Sequence, residues 1–248
     1  MGANRGRHSR CLWSIVGGHL TTDKCLSVLA VMFASVCCPV HAADSTSAAQ
    51  PSEIQTTDLI NEANRLDQEA DRLQHNGRRS EAIAVAEQAL AIRENALGPE
   101  HPDIATTLHG LAWRYHFTGQ FAKAEPVYQR ALAIREKVLG PEHPDTVITL
   151  NNLAGLYWDM GDLARAEPLD RRVLAIHEKA LGPEHPRTVN SLDNLARLYC
   201  AMGHYTKAEP LYQRVLSIRE KVLGPAHPDT VKAQDTLLTI RTTREKSH

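Results

Sequence analysis

The chain has 248 residues, 42% of them hydrophobic and only 5% aromatic, with a formal net charge of −1. Phosphate binding needs an excess of Lys and Arg, so this balance argues against a nucleic-acid partner. The low aromatic content suits helices packed through small residues better than a sheet-rich fold.

Residues 1–42 differ from the rest. Arg5, Arg7, Arg10 and Lys24 form a basic front, and an apolar run follows from Leu26 to Val40. Val40-His41-Ala42 then precedes Ala43 as a small-residue cleavage pattern. This is the layout of a secretory signal peptide, and it predicts a periplasmic or secreted protein. The run is shorter than the ~20 apolar residues of a membrane span. Membrane attachment is expected only if the leader stays uncleaved as an anchor, and a cytoplasmic location only if it is not functional. Val36 ahead of Cys37 argues against a lipid anchor there, where a small residue is expected.

Cys11, Cys25, Cys37 and Cys38 all fall in this leader, so the mature chain would keep only Cys200. A single thiol makes no internal disulfide, and the fold must stand on packing. Cleavage also removes four basic residues and one acid, leaving a net charge of −4. Residues 43–56 are rich in Ser, Thr, Ala and Gln, lack apolar periodicity and read as a flexible linker.

From here a repeat governs the chain. Leu-Gly-Pro-Glu-His-Pro starts at Leu97, Leu139 and Leu181 and returns as Leu-Gly-Pro-Ala-His-Pro at Leu223, always 42 residues apart. A fixed period of this size marks one supersecondary unit copied along the chain and stacked into a solenoid. Within one unit, Leu150, Leu153, Ala154 and Tyr157 share one helical face. Pro144 suits the first helical position, Asp145 suits the first turn, and Gly161 suits a left-handed cap. Asp162 is a plausible N-cap for a second helix. Its apolar stripe is Ala166, Leu169, Val173, Ile176 and Ala180, ended by Gly182-Pro183.

The units align without gaps. Gly77, Gly119, Gly161 and Gly203 are the expected turns, and Ala82, Ala124, Ala166 and Ala208 the points where paired helices approach. Leu90, Leu132, Leu174 and Leu216 are expected to be buried on the second helices. Pro126, Pro168 and Pro210 fall inside those helices, where each should remove one hydrogen bond and bend the helix slightly.

Leu-Asn-Asn-Leu-Ala-Gly-Leu-Tyr at 150–157, followed by Gly161 and Ala166-Glu167-Pro168-Leu169, resembles the tetratricopeptide repeat of kinesin light chain type. The same frame stands at 108–112, 192–196 and 208–214. The resemblance implies an all-α, right-handed α-solenoid of about four helix-turn-helix pairs over residues 57–242. The pairs would span about 57–97, 98–139, 140–181 and 182–223, with a capping helix at 228–242. It does not extend to motor function: no heptad coiled coil precedes the repeats, and a secretory leader contradicts a cytosolic motor.

The recurring His101, His143, His185 and His227 could suggest metal binding. Neighbouring copies stand on the order of 10 Å apart, whereas zinc needs ligands within about 2.1 Å of one ion. They read instead as turn residues that set the next helix start, and no metal site is expected. Catalytic and cofactor motifs are lacking: no Gly-x-Ser-x-Gly, no phosphate loop, no His-Glu-x-x-His. Cys200 with His204 is a conceivable dyad, but His204 falls in a turn and no oxyanion device accompanies it. The chain reads as a non-enzyme without a cofactor.

In such stacks the first helix of each pair lines the groove. Residues off its buried stripe are the binding candidates: His109, Trp113, His116, Asn151, Asn152, Asn194 and Arg197, with Asp67, Asp71, Trp158 and Asp193 beside them. Asn side chains both donate and accept, and can grip a peptide backbone without reading its sequence. The family resemblance implies an extended acidic peptide held by Asn and basic residues, with Asn152 and Asn194 at matching positions and His109-Gly110 departing from the pattern. Trp113 is either a groove anchor or a packing residue between repeats. The expected function is therefore an exported scaffold that binds a peptide or partner protein, as a monomer. The alternative is a structural module that self-associates through its open ends.

Overall fold

The computed structural model describes residues 53–246. The expected leader (1–42), with its four cysteines, and most of the expected linker lie outside the described residues. Among the described residues there are nine α-helices and no strand: α1 (Glu53–His75), α2 (Arg79–Leu97), α3 (Pro102–Phe117), α4 (Phe121–Val138), α5 (Pro144–Asp159), α6 (Leu163–Leu181), α7 (Pro186–Ala201), α8 (Tyr205–Leu223) and α9 (Pro228–Lys246). Each helix packs on the next, and α3 also touches α5, giving an α-solenoid of four pairs with α9 laid on the last. None of these helices is long and apolar enough to cross a membrane. Helix α1 starts inside the segment expected as linker, with Glu53 in its first turn where the helix dipole favours an acid. At the other end α9 runs past the expected limit of 242.

The recurring histidine has a local task. In His101, His143, His185 and His227 the Nδ1 accepts the backbone N–H two residues on, at 3.1–3.2 Å, directly ahead of proline at the first helical position. This satisfies one of the orphan donors at the helix start. Thr146 and Thr188, both fully buried, donate to the carbonyls of Gly140 and Gly182 at 2.9 and 2.8 Å, tying each new helix to the end of the last. Between paired helices Gly161 adopts φ +76°, a left-handed turn that costs a residue with Cβ free energy.

Packing follows the small residues. Ala82, Ala124, Ala166 and Ala208 are all 0% exposed. Leu150, Leu153, Ala154 and Tyr157 are buried as their spacing predicts. The second helices need a correction. Leu90, Leu132 and Leu216 are only partly buried, and of that set Leu174 alone is buried. The deepest position lies one residue earlier, at Ala89, Ala131, Val173 and Val215. A one-residue step turns a helical side chain by about 100°, so the leucines flank the contact that the shorter residues fill. Ala180, expected on the same stripe, is exposed.

Helices α4, α6 and α8 continue through Pro126, Pro168 and Pro210. The glutamate before each proline fastens its helix to the next helix along the chain. Glu125 accepts from the Tyr157 hydroxyl at 3.2 Å, Glu167 from Tyr199 at 2.9 Å, and Glu209 from Arg241 at 2.9 Å. Two further ladders bridge successive copies at a constant offset. Arg130 reaches Glu94, Arg172 reaches Glu136 and Arg214 reaches Glu178. Lys137, Lys179 and Lys221 reach Glu100, Glu142 and Glu184 in the connectors.

Candidate functional site

The odd-numbered helices carry the off-stripe residues, and the structure divides the candidates among three roles. Some hold neighbouring copies together. The His109 Nε2 meets the Asn152 amide at 3.0 Å, and its ring stands edge-on to Tyr128 with centroids 5.6 Å apart. Burial, with the Arg135 charge adding to it, lowers the His109 pKa to about 4, so its imidazole is neutral at physiological pH. The His116 Nε2 lies 2.7 Å from the Asp159 carboxylate on the next first helix. Asp71 is engaged by Arg114 at 2.6 Å, and Asp67 by the buried Arg93.

Trp113 is 41% exposed and stacks on Phe117 with centroids 5.2 Å apart, and the Arg79 guanidinium lies 4.8 Å from the other aromatic ring. It is outside the cavities described next.

The remaining candidates line open space. A cavity of about 520 Å³ opens between α5 and α7 over the end of α6, with Asn151, Asn152, Asn190 and Asn194 in its walls. Its floor includes His177, whose Nδ1 lies 2.8 Å from the buried Ser191 hydroxyl. Burial first, then the Arg187 and His185 charges, lower the His177 pKa. Adjoining it, a second cavity of about 180 Å³ is lined by Asn151, Gly155, Trp158, Asp170, Asn194 and Arg197. The Arg197 guanidinium lies 5.6 Å from the centre of the Trp158 ring. Asn151 and Asn194 border both cavities. Asn152 borders the larger one, but its amide is shared with His109. Toward α9 a third cavity takes in Asp193, Arg197 and Arg219, with acid and base mixed.

Two residues escaped the sequence reading. Asn190 sits one turn before Asn194 on α7. Asp170 lies on a second helix, where no groove residue was sought. The signal for it is in the sequence: at 42-residue spacing the series reads Ala86, Tyr128, Asp170, Tyr212, with one acid among uncharged residues.

No group of three metal-ligating side chains occurs among the described residues. Burial raises the Cys200 thiol pKa, away from the thiolate a nucleophile requires.

The repeats match the tetratricopeptide repeat family model at residues 66–137, 115–179, 145–221 and 194–247. The chain is a tetratricopeptide repeat protein. It is similar to the nearly identical TPR-like repeats of a Podospora anserina protein of kinesin light chain type, with 32% identity over 75% of this chain and 89% of that one, at a TM-score of 0.67. BtubC (BKLC) from P. vanneervenii matches at 23% identity over 77% of this chain and 82% of that one, with a TM-score of 0.62. Apo RapI matches at 19% identity over 75% of this chain and 49% of its own, with a TM-score of 0.63. At these identities the last two show a shared fold. No curated protein matches the sequence. Tetratricopeptide repeat proteins mediate protein–protein interaction, binding proteins or peptides on a non-catalytic scaffold.

Proposed function

We propose that this chain is an exported scaffold that holds an extended segment of a partner protein in the groove between α5 and α7, without catalysis and without nucleic acid. The observation that carries this reading is a set of unengaged amides. Asn151, Asn190 and Asn194 line the larger cavity, and none of them makes a hydrogen bond to another described residue. An amide with free donor and acceptor matches the alternating N–H and C=O of an extended backbone. The groove is already open, so little ordering cost opposes binding.

The test is a library of capped heptapeptides with one fixed position each, titrated against the full chain and the double variant Asn151→Ala/Asn194→Ala. Wild type should bind a subset of pools, and the variant should bind them about 10-fold more weakly with its helicity intact, as expected for two lost hydrogen bonds. Undiminished binding by the variant would sink the groove assignment. Export rests on the leader pattern, and N-terminal sequencing of the exported product should read from Ala43 or a near neighbour. Light scattering should report a monomer; oligomers that grow with concentration in the absence of peptide would favour self-association instead.

A further inference from the structure

Position 170 breaks the repeat. Tyr128 and Tyr212 stand at the equivalent place in the flanking copies, 0% and 4% exposed, the first edge-on to His109 and the second in the wall of the third cavity. Asp170 is also buried, at 9% exposed, but lacks an aromatic ring. Gly155 on α5 occupies the place taken by Trp113 on α3 and Arg197 on α7, and adds no side chain. A Cβ built on Gly155 would make only an ordinary van der Waals contact, with His116 Cε1 at 4.0 Å, so no neighbouring atom presses into that place. Asp170 and Gly155 both line the 180 Å³ cavity.

Among the described residues the acid in this cavity has no partner: no donor or cation reaches the Asp170 carboxylate. Arg197 borders the same cavity, yet its guanidinium rests over Trp158. Burial alone pushes the Asp170 pKa up to about 6. A carboxylate taken from water without compensation is costly, and a cation brought to it recovers that cost. The surrounding chemistry is consistent with such a guest: Trp158 and Ala154 offer apolar walls for an alkyl stem, while Asn151 and Asn194 stand at the junction with the larger cavity.

We propose that this pocket receives a basic side chain, lysine or arginine, from an extended peptide lying in the α5–α7 groove. The inference rests on the groove reading above and adds the position and sign of its specificity. Buried opposite charges that are also hydrogen-bonded discriminate strongly between a guest that supplies the cation and one that does not.

Two measurements separate the pocket from the groove. In the heptapeptide library, wild type should prefer pools with fixed lysine or arginine over those with fixed norleucine or citrulline by about 10-fold or more. Asp170→Asn should erase that preference while still binding, whereas Asn151→Ala/Asn194→Ala should weaken all pools alike. A basic preference that survives Asp170→Asn, or no preference at all, overturns the pocket and leaves the groove standing. The second measurement needs no peptide. The Asp170 carboxyl is followed by ¹³C NMR on the full chain while n-butylammonium or n-butylguanidinium is added, with n-butanol as control. Both cations should shift its titration to lower pH, and the alcohol should not. No shift overturns the proposal. It is equally overturned if Asp170 titrates as an ordinary carboxyl in wild type and rises only in Arg197→Ala, because the pocket would then be filled by the chain's own arginine.

Discussion

The Arg172 Nη1 on α6 lies 2.5 Å from the Glu136 Oε1 on α4, one full copy earlier in the chain. Both side chains are about a third exposed, at 36% and 34%. Such pairs are screened by water and salt, and exposed ones contribute at most about 1 kcal/mol. Arg172→Ala should therefore lower stability by less than about 1 kcal/mol, and 1 M NaCl should shrink the difference. The check is the urea midpoint of both proteins at low and high salt. A loss several times larger would mean that the ladder, rather than the apolar contacts, holds the copies together.

The pH dependence contains two opposing contributions. Asp170 has its pKa raised from 3.8 to about 6, so the folded state binds more protons than the unfolded one in that window. Its contribution to stability falls as pH rises from about 4 to 6. His109 has its pKa lowered from 6.5 to about 4, so the folded state binds fewer protons there. Its contribution rises with pH over nearly the same window, and His177 adds to it with the same sign. The effects offset one another in wild type. Relative to wild type, Asp170→Asn should gain stability as pH rises from 4 to 6, and His109→Gln should lose it. Urea midpoints at half-unit pH steps give the three curves; parallel curves would refute the assignment of either group.

Ala166 is 0% exposed where α5 and α6 approach. Enlarging it forces the helices apart, because close-packed interiors absorb added volume poorly. Ala166→Leu should cost about 1–3 kcal/mol. The same change at the exposed Ala180 should cost little. Thermal unfolding of the two variants side by side tests the contrast.

The His143 Nδ1 caps α5 by accepting the Asp145 N–H at 3.2 Å. Removing that acceptor should cost about 0.5–2 kcal/mol, and an aspartate with its own carboxylate should restore most of it. His143→Ala and His143→Asp are compared by urea midpoint. Equal loss in both would place the role of the ring elsewhere.

The fold was legible because the period repeats its own punctuation. At 42-residue spacing His-Pro marks the starts of α3, α5, α7 and α9 and glycine the turns between paired helices, and the structure follows them. Depth within the second helices was less legible. Periodicity identifies a face, but whether Leu174 or Val173 lies at its centre depends on the neighbouring copy. The site was harder still. Off-stripe position alone cannot tell a free amide such as Asn151 from one already engaged, such as Asn152 with His109. Asp170 was readable only by comparing copies with each other, as the one acid in the series Ala86, Tyr128, Asp170 and Tyr212. The proposed basic guest rests on that comparison, whereas the family resemblance by itself implies an acidic one.

The charged rungs stop where the stack stops. Arg130 and Lys137 have Gln88 and Asn95 as their counterparts in the first copy, and Glu184 gives way to Ala226 in the last connector. A further copy at either place would meet neutral side chains at three of these stations, Glu220 alone keeping a charge. Another copy could therefore not continue either ladder through paired charges at those three stations.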